Sequence, residues 1–129
     1  MITGVVTTRE ARISILVKGR EQLELEINAV VDTGYTGSLT LPPSHVAALK
    51  LSWQKVDRGL LADGSECLFD VFDAEVDWDG EVRSVLIDEA DTDPLVGMSL
   101  LNGYELKVEV CSQGRVEITP LRKSDNRLS

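Results

Sequence analysis

The sequence predicts a mostly-β domain with two short helical pieces, of barrel or sandwich type, and three observations carry that prediction. Apolar and polar residues alternate with a period of two through most of the chain, the signature of half-buried strands. Asp-Gly turns punctuate the runs in "ADGSE" and "WDGE". The chain has 129 residues, 43% hydrophobic and 27% charged, which suits one domain with one buried core and no disordered tract. The domain is expected over residues 1–120, with "LRKSDNRLS" at 121–129 a polar tail that frays.

Taken in order, "ARISILV" alternates through Ile13, Ile15 and Val17. "LELEINAVV" alternates through Leu23, Leu25, Ile27, Ala29 and Val31, with Glu24, Glu26 and Asn28 on the other face. The "KGR" between them, around Gly19, is a hairpin signal. "SLTLP" reads as a short strand, and Pro42 and Pro43 open a short helix over residues 44–49. Strands follow near residues 53–61, 67–76 and 82–87. "DPLVG" gives a brief apolar strand and "MSLLN" one helical turn, stopped at Gly103. "YELKVEV" and "RVEITP" close the domain as a hairpin across "CSQGR".

Composition narrows the function. The formal net charge of −9 disfavours nucleic acid and anionic membrane surfaces, which are bound largely through cationic contacts. No apolar run approaches the about 20 residues of a membrane helix, and the first residues lack the order of a secretory signal. Cys67 and Cys111 are too few for a disulfide framework and lack metal-ligand spacing, so no metal or cofactor is expected. Two buried thiols in a reducing cytoplasm is the simplest setting. His45 is the single histidine, expected on the exposed side of its short helix, and a Ser-His or Cys-His mechanism would rest on it alone.

The stretch with chemistry in it is "AVVDTGYTGSLTLP". A regular apolar strand runs into Asp32, which places one carboxylate at the end of a rigid element. Thr33 adds a hydroxyl, Gly34 leaves room for an approaching backbone, and Gly37 allows a second bend. An acid followed by Gly is also an ordinary turn opener, so the tripeptide alone leaves a structural role for Asp32 open. One carboxylate makes a poor peptide hydrolase, and no second Asp-Thr-Gly occurs. "DTDP" at residues 91–94 shares two letters and carries Pro94. A partner carboxylate would come from a second copy across a two-fold axis.

Four segments in a fixed order, "AVVDTG", "SLTLP", "LLADGSE" and "PLVGMSLL", resemble the retropepsin-like aspartic proteases, and more closely their small cellular prokaryotic branch, over residues 11–120. The resemblance implies a closed, barrel-like acid-protease fold with one or two short helices. It implies a homodimeric endopeptidase that acts on peptide or unfolded protein, with Asp32 as the catalytic aspartate of each subunit. Thr33 would interlock with the other subunit, Gly34 would admit substrate backbone, and Leu95, Val96 and Gly97 would pack beneath the loop. Leu61, Ala62, Asp63, Gly64 and Ser65 would form the flap that closes over a bound peptide. The chain also departs from the pattern. Tyr35 stands where the well-known proteases carry Ala or Ser, so its ring either narrows the substrate site or packs sideways. Thr36 and Met98 stand where retroviral enzymes pair an acid with an arginine, and joint loss of the pair implies a site rebuilt apolar. Asp63 and Ser65 replace flap glycines and imply a stiffer tip. The alternative is a catalytically silent domain that binds a peptide or partner protein through the flap cleft.

Overall fold

The computed structural model describes residues 1–122, so most of the polar tail lies outside the described residues. Leu121, read from sequence as the start of that tail, is tied in by its N–H donating to the Gly103 carbonyl at 2.9 Å.

Ten strands and two short helices follow in the order β1 (Ile2–Thr7), β2 (Glu10–Lys18), β3 (Glu24–Val31), β4 (Leu39–Leu41), α1 (Pro43–Ala48), β5 (Ser52–Leu60), β6 (Glu66–Trp78), β7 (Glu81–Glu89), β8 (Leu95–Val96), α2 (Met98–Leu101), β9 (Tyr104–Val108) and β10 (Arg115–Pro120). The predicted elements appear within a residue or two of their expected bounds. β1 is additional. Thr and Gly dilute its alternation, and only Val6 is buried in it, so its apolar period is weak. β1 is held instead by pairing, antiparallel to β2 on one side and to β10 on the other.

All ten strands belong to one sheet in the order β5-β6-β7-β4-β8-β3-β2-β1-β10-β9, and β6 pairs with β2 as well. That second pairing, Leu16 to Lys18 against Asp77 to Glu75, closes β6, β7, β4, β8, β3 and β2 into a ring. The closure is possible because β6 is 13 residues long: one half serves the ring and the other half extends as a hairpin with β5. The β6–β7 turn has two residues, Asp79 and Gly80, both at positive φ (54° and 83°), as a type I′ hairpin requires.

The ring encloses the core. Ile13, Ile15 and Val17 of β2 meet Ile27 and Ala29 of β3, Leu39 and Leu41 of β4, Val76, Ile87 and Val96, with Leu100 of α2 beneath. Trp78 is 1% exposed and meets Tyr104 edge-on, with ring centroids 5.8 Å apart. Pro43 opens α1 at its first turn, and Val46 is the residue it buries.

Two expectations need correction. Cys67 is half-buried and Cys111 exposed, both free, because neither lies on an inward position of its segment. His45 is half-buried rather than exposed, and its Nδ1 is buried without a hydrogen-bond partner, since the short helix lies close against the sheet.

Ile87, fully buried where β7 meets β4, tests this packing. Ile87→Ala should lower the unfolding free energy in urea by about 2–5 kcal/mol. Val110→Ala, at a residue 79% exposed, should stay within about 0.5 kcal/mol. Equal losses at the two positions would contradict the placement of the core.

Candidate active site

Asp32 follows directly on β3, and its main chain continues that strand's parallel pairing with β8. Val30 and Val31 lie beside Leu95 and Val96, the Val30 N–H donates to the Pro94 carbonyl, and the Asp32 N–H donates to the Val96 carbonyl at 2.8 Å. The backbone of the acid is therefore fixed by the sheet. Its side chain is half-buried, and Oδ1 accepts the Gly34 N–H at 2.9 Å. The Tyr35 N–H donates to the Asp32 carbonyl at 3.2 Å, closing a turn of four residues around the carboxylate. A main-chain N–H aimed at a carboxylate orients it.

The loop after Asp32 rests on the start of α2. Gly97 N–H donates to Ser38 O, Met98 N–H to Tyr35 O and Ser99 N–H to Gly37 O, at 3.0, 2.8 and 3.1 Å. The Ser99 hydroxyl adds a bond to Thr36 O at 2.6 Å. Where the acid–arginine pair is absent, Met98 is half-exposed, and main-chain bonds with one serine hydroxyl hold the loop. Gly97 is required by proximity. A Cβ there would stand 2.2 Å from the Gly37 carbonyl oxygen and 2.5 Å from Cδ2 of Tyr35.

Tyr35 packs sideways. Its ring lies against Gly37 and Gly97, and its hydroxyl donates to Oδ2 of Asp88 on β7 at 2.5 Å. The buried Thr40 hydroxyl of β4, the strand beside Asp88, also bonds the tyrosine oxygen. Burial and then the Asp88 bond push the Tyr35 phenol well above its usual range. Burial likewise raises the Asp88 carboxyl, more than the Tyr35 bond lowers it. From β5, Asp57 raises it further and Lys55 lowers it. Sequence reading missed Asp88. It lies 53 residues from its partner at the end of an ordinary alternating strand, and nothing local marks it.

The proposed flap is the outer half of the β5–β6 hairpin. At its tip the Leu61 N–H donates to Ser65 O and the Gly64 N–H to Leu61 O, at 2.8 and 2.9 Å. Oδ1 of Asp63 accepts both the N–H and the hydroxyl of Ser65, at 2.9 and 2.6 Å, which holds its carboxyl below the usual range. Ala62 is exposed beside it. The tip is thus a pinned turn, as the exchange of flap glycines for Asp63 and Ser65 implies. Trp53, Val56, Leu60 and Leu68 leave apolar surface exposed along the hairpin.

Thr33 is exposed and opens on a cavity of about 620 Å³, also lined by Met98, Leu101, Tyr104, Leu106 and Leu121. The structure brings Asp32, Thr33, Gly34, Tyr35 and Gly97 into one cluster, while the tip residues 61–65 form a second cluster on their hairpin. Among the described residues no group of three His, Cys, Asp or Glu side chains is placed to hold a metal ion.

No protein-family model matches the chain, and no curated protein matches its sequence. Solved structures do match. One is EIAV protease complexed with the inhibitor HBY-793, with a TM-score of 0.54 and 16% identity, over 73% of this chain and 86% of that one. Another is a retropepsin-like aspartic protease from Rickettsia conorii, with the same TM-score and identity, over 93% of this chain and 94% of that one. The chain has the fold of the retropepsin-like aspartic proteases, and at this identity the likeness is one of fold.

Two measurements test the geometry. Gly97→Ala should cost about 1–3 kcal/mol or more in urea unfolding, since the obstruction is main chain. Gly34→Ala meets only Oδ1 of Asp32 at 3.2 Å and should cost less than about 1 kcal/mol. The raised carboxyl of Asp88 sets a sign for pH dependence. The native state holds that proton more tightly than the unfolded state, so the penalty is absent below the ordinary value of 3.8. It grows as pH rises from there through the raised native value. The unfolding free energy of the wild type minus that of Asp88→Asn should therefore fall with rising pH across this window. A difference that stays flat or increases would contradict the assignment.

Proposed function

We propose that the protein is an aspartic endopeptidase that acts as a homodimer, each copy giving one Asp32 to a shared dyad. The observation that carries this reading is the Asp32 loop. A carboxylate is held by sheet pairing from below and oriented by the Gly34 N–H, in the fold of known aspartic proteases. A lone carboxylate has no partner to polarise the scissile carbonyl, so the site is incomplete without a second copy. Thr33, exposed next to Asp32 and lining an apolar cavity with Met98, Leu101 and Leu121, is the surface on which that copy would seat.

Two carboxylates brought together share one proton and titrate as a unit. The ionised Asp32 takes a proton from water, whose oxygen attacks the peptide carbonyl carbon. The neutral Asp32 gives its proton to the carbonyl oxygen. The Asp32 that took the water's proton then gives it to the amide nitrogen, while the other Asp32 takes a proton from a hydroxyl of the tetrahedral intermediate. The C–N bond breaks to release amine and carboxylic acid, leaving one carboxylate charged and one neutral as before. The exposed apolar side chains of the β5–β6 hairpin are suited to covering an extended peptide and excluding water. The same surface also favours a second reading, a domain that binds peptide without cleaving it.

Sedimentation at tens of micromolar should show a species of twice 14.1 kDa. Asp32→Asn should abolish cleavage of an unfolded protein at about pH 5 while leaving the circular dichroism unchanged. A strict monomer, or cleavage that survives Asp32→Asn, would sink the protease. Peptide binding that persists in wild type without any cleavage would favour the second reading.

A further inference from the structure

Asp88 stands where three parts of the molecule converge. On β7 it lies opposite Thr40 of β4 and Val71 of β6. From the loop beyond Asp32, the Tyr35 hydroxyl reaches it. From β5, the inner part of the flap hairpin, Lys55 and Asp57 face it, with Lys55 paired in register to Val71 and Asp57 to Phe69. A half-buried carboxylate at such a junction is a costly choice for stability alone, because an apolar side chain of similar shape commonly packs as well or better.

Tyr35 connects this junction to the proposed catalytic carboxylate through very few bonds. Only Thr33 and Gly34 separate it from Asp32. Its N–H donates to the Asp32 carbonyl, and Gly34, its neighbour, donates to Oδ1 of Asp32. Glycine leaves that short turn flexible between its ends. At the far end the Met98 N–H on the Tyr35 carbonyl holds the main chain, and the side chain sets the rest. The ring of Tyr35 fills the space over Gly37 and Gly97, which sets where it lies, and the Asp88 bond sets how it is turned.

We infer that Asp88 is a positioning residue: by accepting the Tyr35 hydroxyl it fixes the turn that aims the Asp32 carboxylate, and it ties that turn to the foot of the flap hairpin. The inference deepens the protease reading and rests on it for its catalytic consequence, but the geometry it asserts can be read without turnover.

The experiment uses isotope-labelled full-length chain and follows the Gly34 amide by NMR as pH titrates Asp32. In wild type the amide should shift as its acceptor carboxylate ionises. Tyr35→Phe, which keeps the ring, and Asp88→Leu, which keeps the bulk, should each cut that shift by about twofold or more. Asp88→Asn retains an acceptor oxygen and should restore most of it. In a cleavage assay the first two variants should lose about tenfold to a hundredfold in kcat, with KM changed far less. If Asp88→Leu fails to fold, Tyr35→Phe decides alone. A wild-type Gly34 titration in folded Tyr35→Phe overturns the inference and leaves the pair a stabilising contact. Absence of wild-type cleavage would count against the protease reading, while the Gly34 titration would still decide the role of Asp88.

Discussion

The close approach of Gly97 to the main chain of Gly37 and Tyr35 is the constraint on which the rest of the site depends. β8 lies between β3 and β4, parallel to one and antiparallel to the other, in only two residues. A strand so short has little pairing of its own to hold it. Its position is secured by continuation at both ends: Pro94 O and Val96 O accept from β3 and Asp32, and Gly97, Met98 and Ser99 donate into the loop beyond. A side chain at residue 97 would push the two segments apart and break those bonds together. The rigidity of Asp32 is therefore a property of two segments about sixty residues apart, neither of which is rigid alone.

The second layer of support is polar, and this separates it from the core. Leu39, Leu41, Ile87 and Val96 surround the same strands with apolar contact, which fixes position but tolerates small rotations. The hydrogen bonds from Tyr35 to Asp88 and from Ser99 to Thr36 add direction. Directional bonds are expensive to bury and uncompromising about angle, so they suit places where a side chain must point one way. Together with the Gly34 N–H on Asp32, they give this loop a direction as well as a position.

Much of this was legible in the sequence, for physical reasons that also explain what was not. Alternation reports which face of a strand is buried, so Ile13 to Val17 and Leu23 to Val31 announced themselves, and Asp-Gly announced the turn at Asp79 and Gly80. The order of "VDTG" and "PLVG" announced the loop and its support. Pairings between distant strands leave no such trace. Asp88 looks like any polar residue at a strand end, and β1 is held by hydrogen bonds on both edges rather than by an apolar face. The orientation of Tyr35 was open for the same reason, since only the partner on β7 decides between a ring that blocks the site and one that braces it. Cys67 was misjudged because composition predicts the burial of a residue type, not of one position on an exposed hairpin.

On the proposed reading, incompleteness of the single chain couples assembly to protonation. Two Asp32 carboxylates that meet across an axis would repel each other, so neutralising one of them favours association. The long-range field acts in the same direction. Each copy carries a net charge of −9, and mutual repulsion weakens as carboxylates are neutralised. Local and global electrostatics therefore both favour the paired state on the acid side of neutrality. On this reading a chain with half a site would be inert while dispersed. Control of the proposed chemistry would then lie in concentration and pH.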